Sequence, residues 1–103
     1  MITSVIDPAQ CKNMSDVREG VDIVDNALVD LLVKRFAYMD AAARIKVTRD
    51  AVRNEERKAQ VIENATAHAH QVGIPSTAIR EMWEILVEAS IGYELEQWDA
   101  LHN

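Results

Sequence analysis

The stretch "SDVREGVDIVDNALVDLLVKRFAYMDAAARIKV", residues 15–47, contains no proline and a single glycine, Gly20. Val17, Val21, Val24, Leu28, Leu31, Leu32, Met39 and Ala42 recur through it at spacings of three, four and seven, which is the helical period. Asp16 and Glu19 stand at capping-box spacing ahead of the apolar series, so the stretch reads as one helix over about 16–47. Such a helix is about 48 Å long at 1.5 Å per residue, whereas a compact chain of this length has a radius of gyration near ~13 Å. Two shorter helices cannot cover its apolar stripe, and a second copy of the chain is the natural cover. The expected fold is therefore all-α, with three helices per chain, a long first helix and an intertwined homodimer.

Working outward, "VTRDAVRN" (47–54) breaks the pattern. A second helix is expected from about residue 53 through "EERKAQVIENATAHAHQ", ending at Gly73. Pro75 and Ser76 restart the chain, with Ser76 as N-cap of a third helix through Trp83, Leu86, Ser90, Tyr93 and Trp98. No strand signal, repeat or low-complexity segment interrupts this order. Residues 1–13 read as a flexible N-terminal segment and 14–103 as one helical domain.

With 103 residues, 49% of them hydrophobic, the chain has room for one domain whose core is marginal on its own. The net charge of −6 argues against nucleic acid as a partner, since phosphate binding needs a clustered basic surface. No apolar run approaches the roughly 18 residues of a membrane span, and "MITSVIDPAQ" lacks the features of a secretory signal. A cytoplasmic location is expected. Cys11 is the sole cysteine, which excludes an intramolecular disulfide and leaves no zinc pattern. His68 and His70 fall on different helix faces and read as surface residues; no metal site is expected. Trp83, Tyr93 and Trp98 read as core or dimer-interface aromatics.

The long helix also carries cations on a packing face. Arg35 and Lys46 are 11 residues apart, which returns to within roughly 20° of the same face about 16 Å farther along the axis. Met39 and Ala42 lie between them, so the two side chains flank a floor for a small anion. Arg18 points about 100° away and about 25 Å off, and reaches the same ligand only from another chain in an antiparallel pair. Spacing alone is equally compatible with snorkelling or surface-paired residues.

The whole pattern resembles the all-helical chorismate mutase family and its close relative isochorismate-pyruvate lyase over roughly residues 14–99. The resemblance rests on Arg18 in "SDVREGVD", Arg35 in "LVKRFAYM" and Lys46 in "AARIKV", which match the family's three cationic positions without a gap. In "EERKAQVI", Glu56 and Arg57 take the place of its Glu-Arg pair, and the third helix ends in "VEASIGYELEQW". The resemblance implies that Arg35 and Lys46 bind a dianionic substrate from one subunit while Arg18 comes from the other. It also implies rearrangement of chorismate to prephenate with no metal, coenzyme or covalent intermediate. Lys46 would donate to the breaking ether oxygen, Glu56 would accept from the ring hydroxyl, and Ser90 would approach a carboxylate.

Two departures stand out. Glu94 occupies the position where bacterial members often carry a glutamine donor, so it can donate only in its protonated form. The 47–54 loop is about three residues shorter than in many mutases, and the arginine that some relatives place before the Glu-Arg pair is Glu55. Arg49, Arg53 or Arg57 are the candidates to replace that charge. The alternatives are the lyase reaction, giving salicylate and pyruvate from isochorismate, and a helical dimerisation module without catalysis.

Overall fold

The computed structural model describes residues 6–103. Among the described residues it is all-helical, with α1 at Met14–Ile45, α2 at Glu55–Val72, α3 at Ser76–Leu101, and short 3-10 turns at Pro8–Gln10 and Arg49–Ala51. The chain divides into two compact units, Met1–Ala37 and Tyr38–Asn103, and α1 supplies residues to both.

In the first unit Asp7 opens the 3-10 turn by accepting from the Ala9 amide (2.9 Å), with Pro8 preset for its first position. Asn13 then caps α1, its Oδ1 accepting from the Asp16 amide at 2.9 Å, while Asp16 Oδ2 accepts from the Lys12 amide at 3.1 Å. The cap thus lies one turn earlier than expected: Asn13 caps the helix, Asp16 is its third residue and bonds the amide before the cap, and Glu19 lies inside the helix. Ile6, Pro8 and Cys11 face Val17, Val21 and Val24 of α1 across a hollow of about 430 Å³. Along α1, Val21, Leu28, Leu31 and Val33 are all more than half exposed, so the apolar stripe lies largely open on this chain.

The second unit holds the core. Val52, Ile62, Val87 and Ile91 are buried together, with Val61, Trp83, Leu95 and Trp98 packed around them. Trp83 and Trp98 are thus core aromatics. Val52 comes from the connection after α1, so the loop is itself part of the core. For that reason α2 starts at Glu55, not near 53: Val52 is held inward, and Asn54 serves as N-cap, accepting from the Arg57 amide at 3.0 Å. Gly73 ends α2 with φ 83°, a left-handed conformation that favours glycine, and its amide and that of Ile74 both reach the Ala69 carbonyl at 3.0 Å.

Ser76 is the first residue of α3 rather than its cap; Pro75 occupies the cap position and offers no side-chain acceptor. A row of ion pairs ties α2 and its leading loop to α3: Arg53 to Glu88 (2.8 Å), Lys58 to Glu88 (2.7 Å) and Glu84 (3.2 Å), and Arg80 to Glu63 (2.9 Å). The Arg53 and Lys58 hydrogen bonds pull the Glu88 carboxyl down from 4.5 to about 2 and raise both cations. None of the described helices is long and apolar enough to cross a membrane.

Candidate active site

In the second unit α1 ends at Ile45, and Lys46 is the first residue beyond it. Its amide still donates to the Ala42 carbonyl (2.9 Å), so its backbone continues the last turn while its carbonyl is released from the helix. The released carbonyl accepts from the Trp98 indole N–H at 3.0 Å. Lys46 is thereby directed at α3, where its ammonium stands 2.8 Å from Glu94 Oε2.

Glu94 is 4% exposed, and Ser90, one turn earlier on the same face, is 3% exposed. They are the buried polar residues among those described, in a unit whose other buried positions are Ala and branched aliphatics. A carboxylate is seldom buried without a charge partner or a task. The partner is present, but its geometry is loose. Although Nζ lies 2.8 Å away, Oε2 accepts no hydrogen bond, because the contact lacks the required alignment. The ammonium's aligned hydrogen bond runs instead to the Val52 carbonyl at a long 3.4 Å. We read the Lys46–Glu94 contact as a coulombic pair in which Glu94 Oε2 keeps acceptor capacity beyond the ion pair. Ser90 Oγ donates back to the Leu86 carbonyl of its own helix at 2.7 Å.

Of the residues singled out in the sequence, Lys46 and Glu94 meet in the second unit, and Ser90 shares the buried face of Glu94. Glu56 lies in the first turn of α2, is exposed and forms no ion pair among the described residues. Arg18 and Arg35 lie on α1 in the first unit, the former exposed and the latter half-buried. The three candidate arginines are engaged in other contacts. Arg49 grips Asp99 through two contacts, Nε to Oδ1 at 2.8 Å and Nη2 to Oδ2 at 3.1 Å; Arg53 is held by Glu55 and Glu88; Arg57 donates to Gln60 at 2.6 Å.

Sequence reasoning missed the support around Lys46. Trp98 follows Glu94 by the same four residues that separate Glu94 from Ser90, and that spacing was the available signal. Tyr93, expected in the core or at a dimer interface, donates its hydroxyl to Asp40 of α1 at 2.6 Å; Asp40 raises the phenol above its ordinary value. Among the described residues no group of three His, Cys, Asp or Glu side chains is placed to hold a metal ion.

Comparison with known proteins adds two findings. The family model described as chorismate mutase type II matches residues 17–95. An isochorismate pyruvate lyase of Pseudomonas aeruginosa is 25% identical over 91 residues, which cover 88% of this chain and 90% of that protein.

Proposed function

The chain belongs to the type II chorismate mutase family, and on that premise we propose that it is a chorismate mutase converting chorismate to prephenate. One observation carries the reading: a buried carboxyl, Glu94, facing the half-buried ammonium of Lys46 at 2.8 Å, with no aligned hydrogen bond to the facing oxygen. In this reaction the ether C–O bond of the enolpyruvyl group breaks as a C–C bond forms between its methylene carbon and the ring. No atom is gained or lost, and negative charge grows on the ether oxygen in the transition state. An ammonium and a protonated carboxyl converging from opposite helices suit that oxygen. The ammonium supplies a fixed positive charge, and the acid supplies a second donor. Glu94 acts only while it carries its proton, because the ionised form repels the developing charge.

The cations bind the substrate. Arg35 and Lys46 receive carboxylates from one chain, and Arg18 of the partner subunit completes the pocket in a homodimer whose interface covers the apolar stripe of α1. Ser90 meets a carboxylate by rotating off the Leu86 carbonyl, and Glu56 accepts from the ring hydroxyl. Holding the enolpyruvyl tail over the ring and stabilising the oxygen must together supply about 8 kcal/mol for a millionfold acceleration.

A second reading is favoured by two observations. The curated relative matched along nearly its whole length bears the name isochorismate pyruvate lyase, and the 47–54 loop is short. The same cations and folded tail would then serve transfer of a ring hydrogen to the departing enolpyruvyl group, giving salicylate and pyruvate. Separate incubation of the purified protein with chorismate and with isochorismate, identifying prephenate, salicylate and pyruvate, decides between them. Prephenate as the dominant product supports the mutase; salicylate with pyruvate moves the protein to the lyase with the same residues. Turnover of neither leaves a helical dimerisation module. Lys46→Ala should abolish turnover in a chain that remains folded.

A further inference from the structure

The connection between α1 and α2 is fastened to two successive residues of α3. Trp98 donates its indole N–H to the Lys46 carbonyl at 3.0 Å, and Asp99 holds Arg49, three residues farther along, through two contacts at 2.8 and 3.1 Å. Between these points the Val52 side chain is buried, and its carbonyl turns back to the Lys46 ammonium. Trp98 itself is fixed from both sides. It packs against the core, and its ring stacks on His102 with centroids 4.1 Å apart and planes 11° from parallel.

We infer that Trp98 is a positioning residue: through its N–H on the Lys46 carbonyl, backed by the Arg49–Asp99 pair, it sets where the Lys46 ammonium stands relative to Glu94. The inference rests on the reading of Lys46 as the group that acts on substrate.

The physical argument concerns leverage. Lys46 lies at the end of α1, where its carbonyl has no helical partner and helices fray. Its side chain has four rotatable bonds, and a turn of the peptide unit at its root is carried out to the ammonium. At its tip the ammonium meets Glu94 at 2.8 Å and donates to the Val52 carbonyl at a long 3.4 Å. At its root the Lys46 amide holds the Ala42 carbonyl, and the released Lys46 carbonyl is held by Trp98. Ser90, Glu94 and Trp98 lie at successive intervals of four on α3, so one helix face carries a proposed ligand contact, the acid and the brace for the opposing ammonium. Electrostatic help depends on placement: a displacement of about 1 Å in a catalytic group can reduce rate on the order of a hundredfold.

The test separates the N–H from the bulk of the ring. Trp98→Phe removes both donor and volume. Incorporating benzothienylalanine at position 98, with sulfur in place of the N–H, restores shape without the donor. Turnover of chorismate and isochorismate, thermal midpoints and the 13C shift of the Lys46 Cε are measured for all three proteins, well below the melting range. The expected result is that the isostere recovers the midpoint lost in Trp98→Phe while kcat stays on the order of tenfold below wild type, with KM little changed and a moved Lys46 signal. Recovery of kcat along with the midpoint overturns the inference, because the ring then acts only by packing. If wild type turns over neither substrate, the functional reading fails by itself. The Lys46 signal then decides alone: moved by the isostere, it supports the brace, and unmoved, it overturns it.

Discussion

Replacing Lys46 by methionine leaves a carboxylate that is 4% exposed facing a thioether at the place where an ammonium stood 2.8 Å away. At an effective dielectric constant of about 20 the bare attraction across that distance is about 6 kcal/mol, most of which is offset by desolvation of the two ions. Breaking a fully buried pair from one side costs about 3–5 kcal/mol. The Lys46 side chain keeps 30% of its surface in water, so a figure of about 2–3 kcal/mol is expected for Lys46→Met. Glu94→Gln removes the buried charge together with its desolvation and should stay within about 1 kcal/mol of wild type. The double variant should match Glu94→Gln alone, because no orphan ion remains, giving a coupling energy of about 2 kcal/mol. Urea unfolding of the four proteins at one fixed protein concentration measures this, the concentration being fixed because association adds to apparent stability. Additivity within about 0.5 kcal/mol would refute the reasoning. It would mean that the two groups share space without sharing energy, and the site would lose its central element.

Three further outcomes are expected. Glu94→Gln, whose amide is a permanent donor, should keep kcat within about tenfold of wild type, whereas Glu94→Ala should lower it about a hundredfold; a Glu94→Ala variant as active as wild type removes Glu94 from the chemistry. Glu88 has its carboxyl pulled down to about 2, so the stability it contributes is complete above its ordinary 4.5 and is lost as pH falls from there toward about 2. Acid unfolding followed by circular dichroism should therefore be shallower over that window in Glu88→Gln, the remaining slope including Asp99, which Arg49 also lowers; unchanged slopes would show that the α2–α3 ion pairs are idle. Gly73→Ala should cost about 1 kcal/mol in thermal or urea unfolding, because φ is 83° although an added methyl meets nothing within 4 Å, and a neutral result would contradict the assigned left-handed cap.

Much of this architecture was legible because the signals were periodic or local. The apolar interval of three and four over 17–42 and the absence of proline define α1, and Gly73 marks the end of α2. The cap errors share one cause. Asn, Asp and Ser all accept amide hydrogens, so the choice between Asn13 and Asp16, or between Pro75 and Ser76, depends on which residue leaves helical geometry first. The start of α2 was misplaced because burial of Val52, a tertiary effect, holds the preceding loop inward. At the site, Lys46 and Glu94 were legible as a motif, but their meeting at 2.8 Å and the brace from Trp98 depend on α3 passing the end of α1, 52 positions away along the chain. The loop arginines could not be assigned from the sequence because acidic residues on α3 claim Arg49 and Arg53.

The mutual cancellation of Lys46 and Glu94 also bears on how a substrate arrives. Two opposite charges 2.8 Å apart contribute little field a few ångströms away, while the chain as a whole carries −6. Beyond the reach of local contacts, an approaching dianion feels repulsion from the protein, screened over a Debye length of about 8 Å at physiological ionic strength. In the proposed pocket, attraction for a dianion therefore comes from Arg35 and from Arg18 of the partner subunit, acting within a Debye length, and the Lys46–Glu94 pair adds to it only once the ligand is in contact.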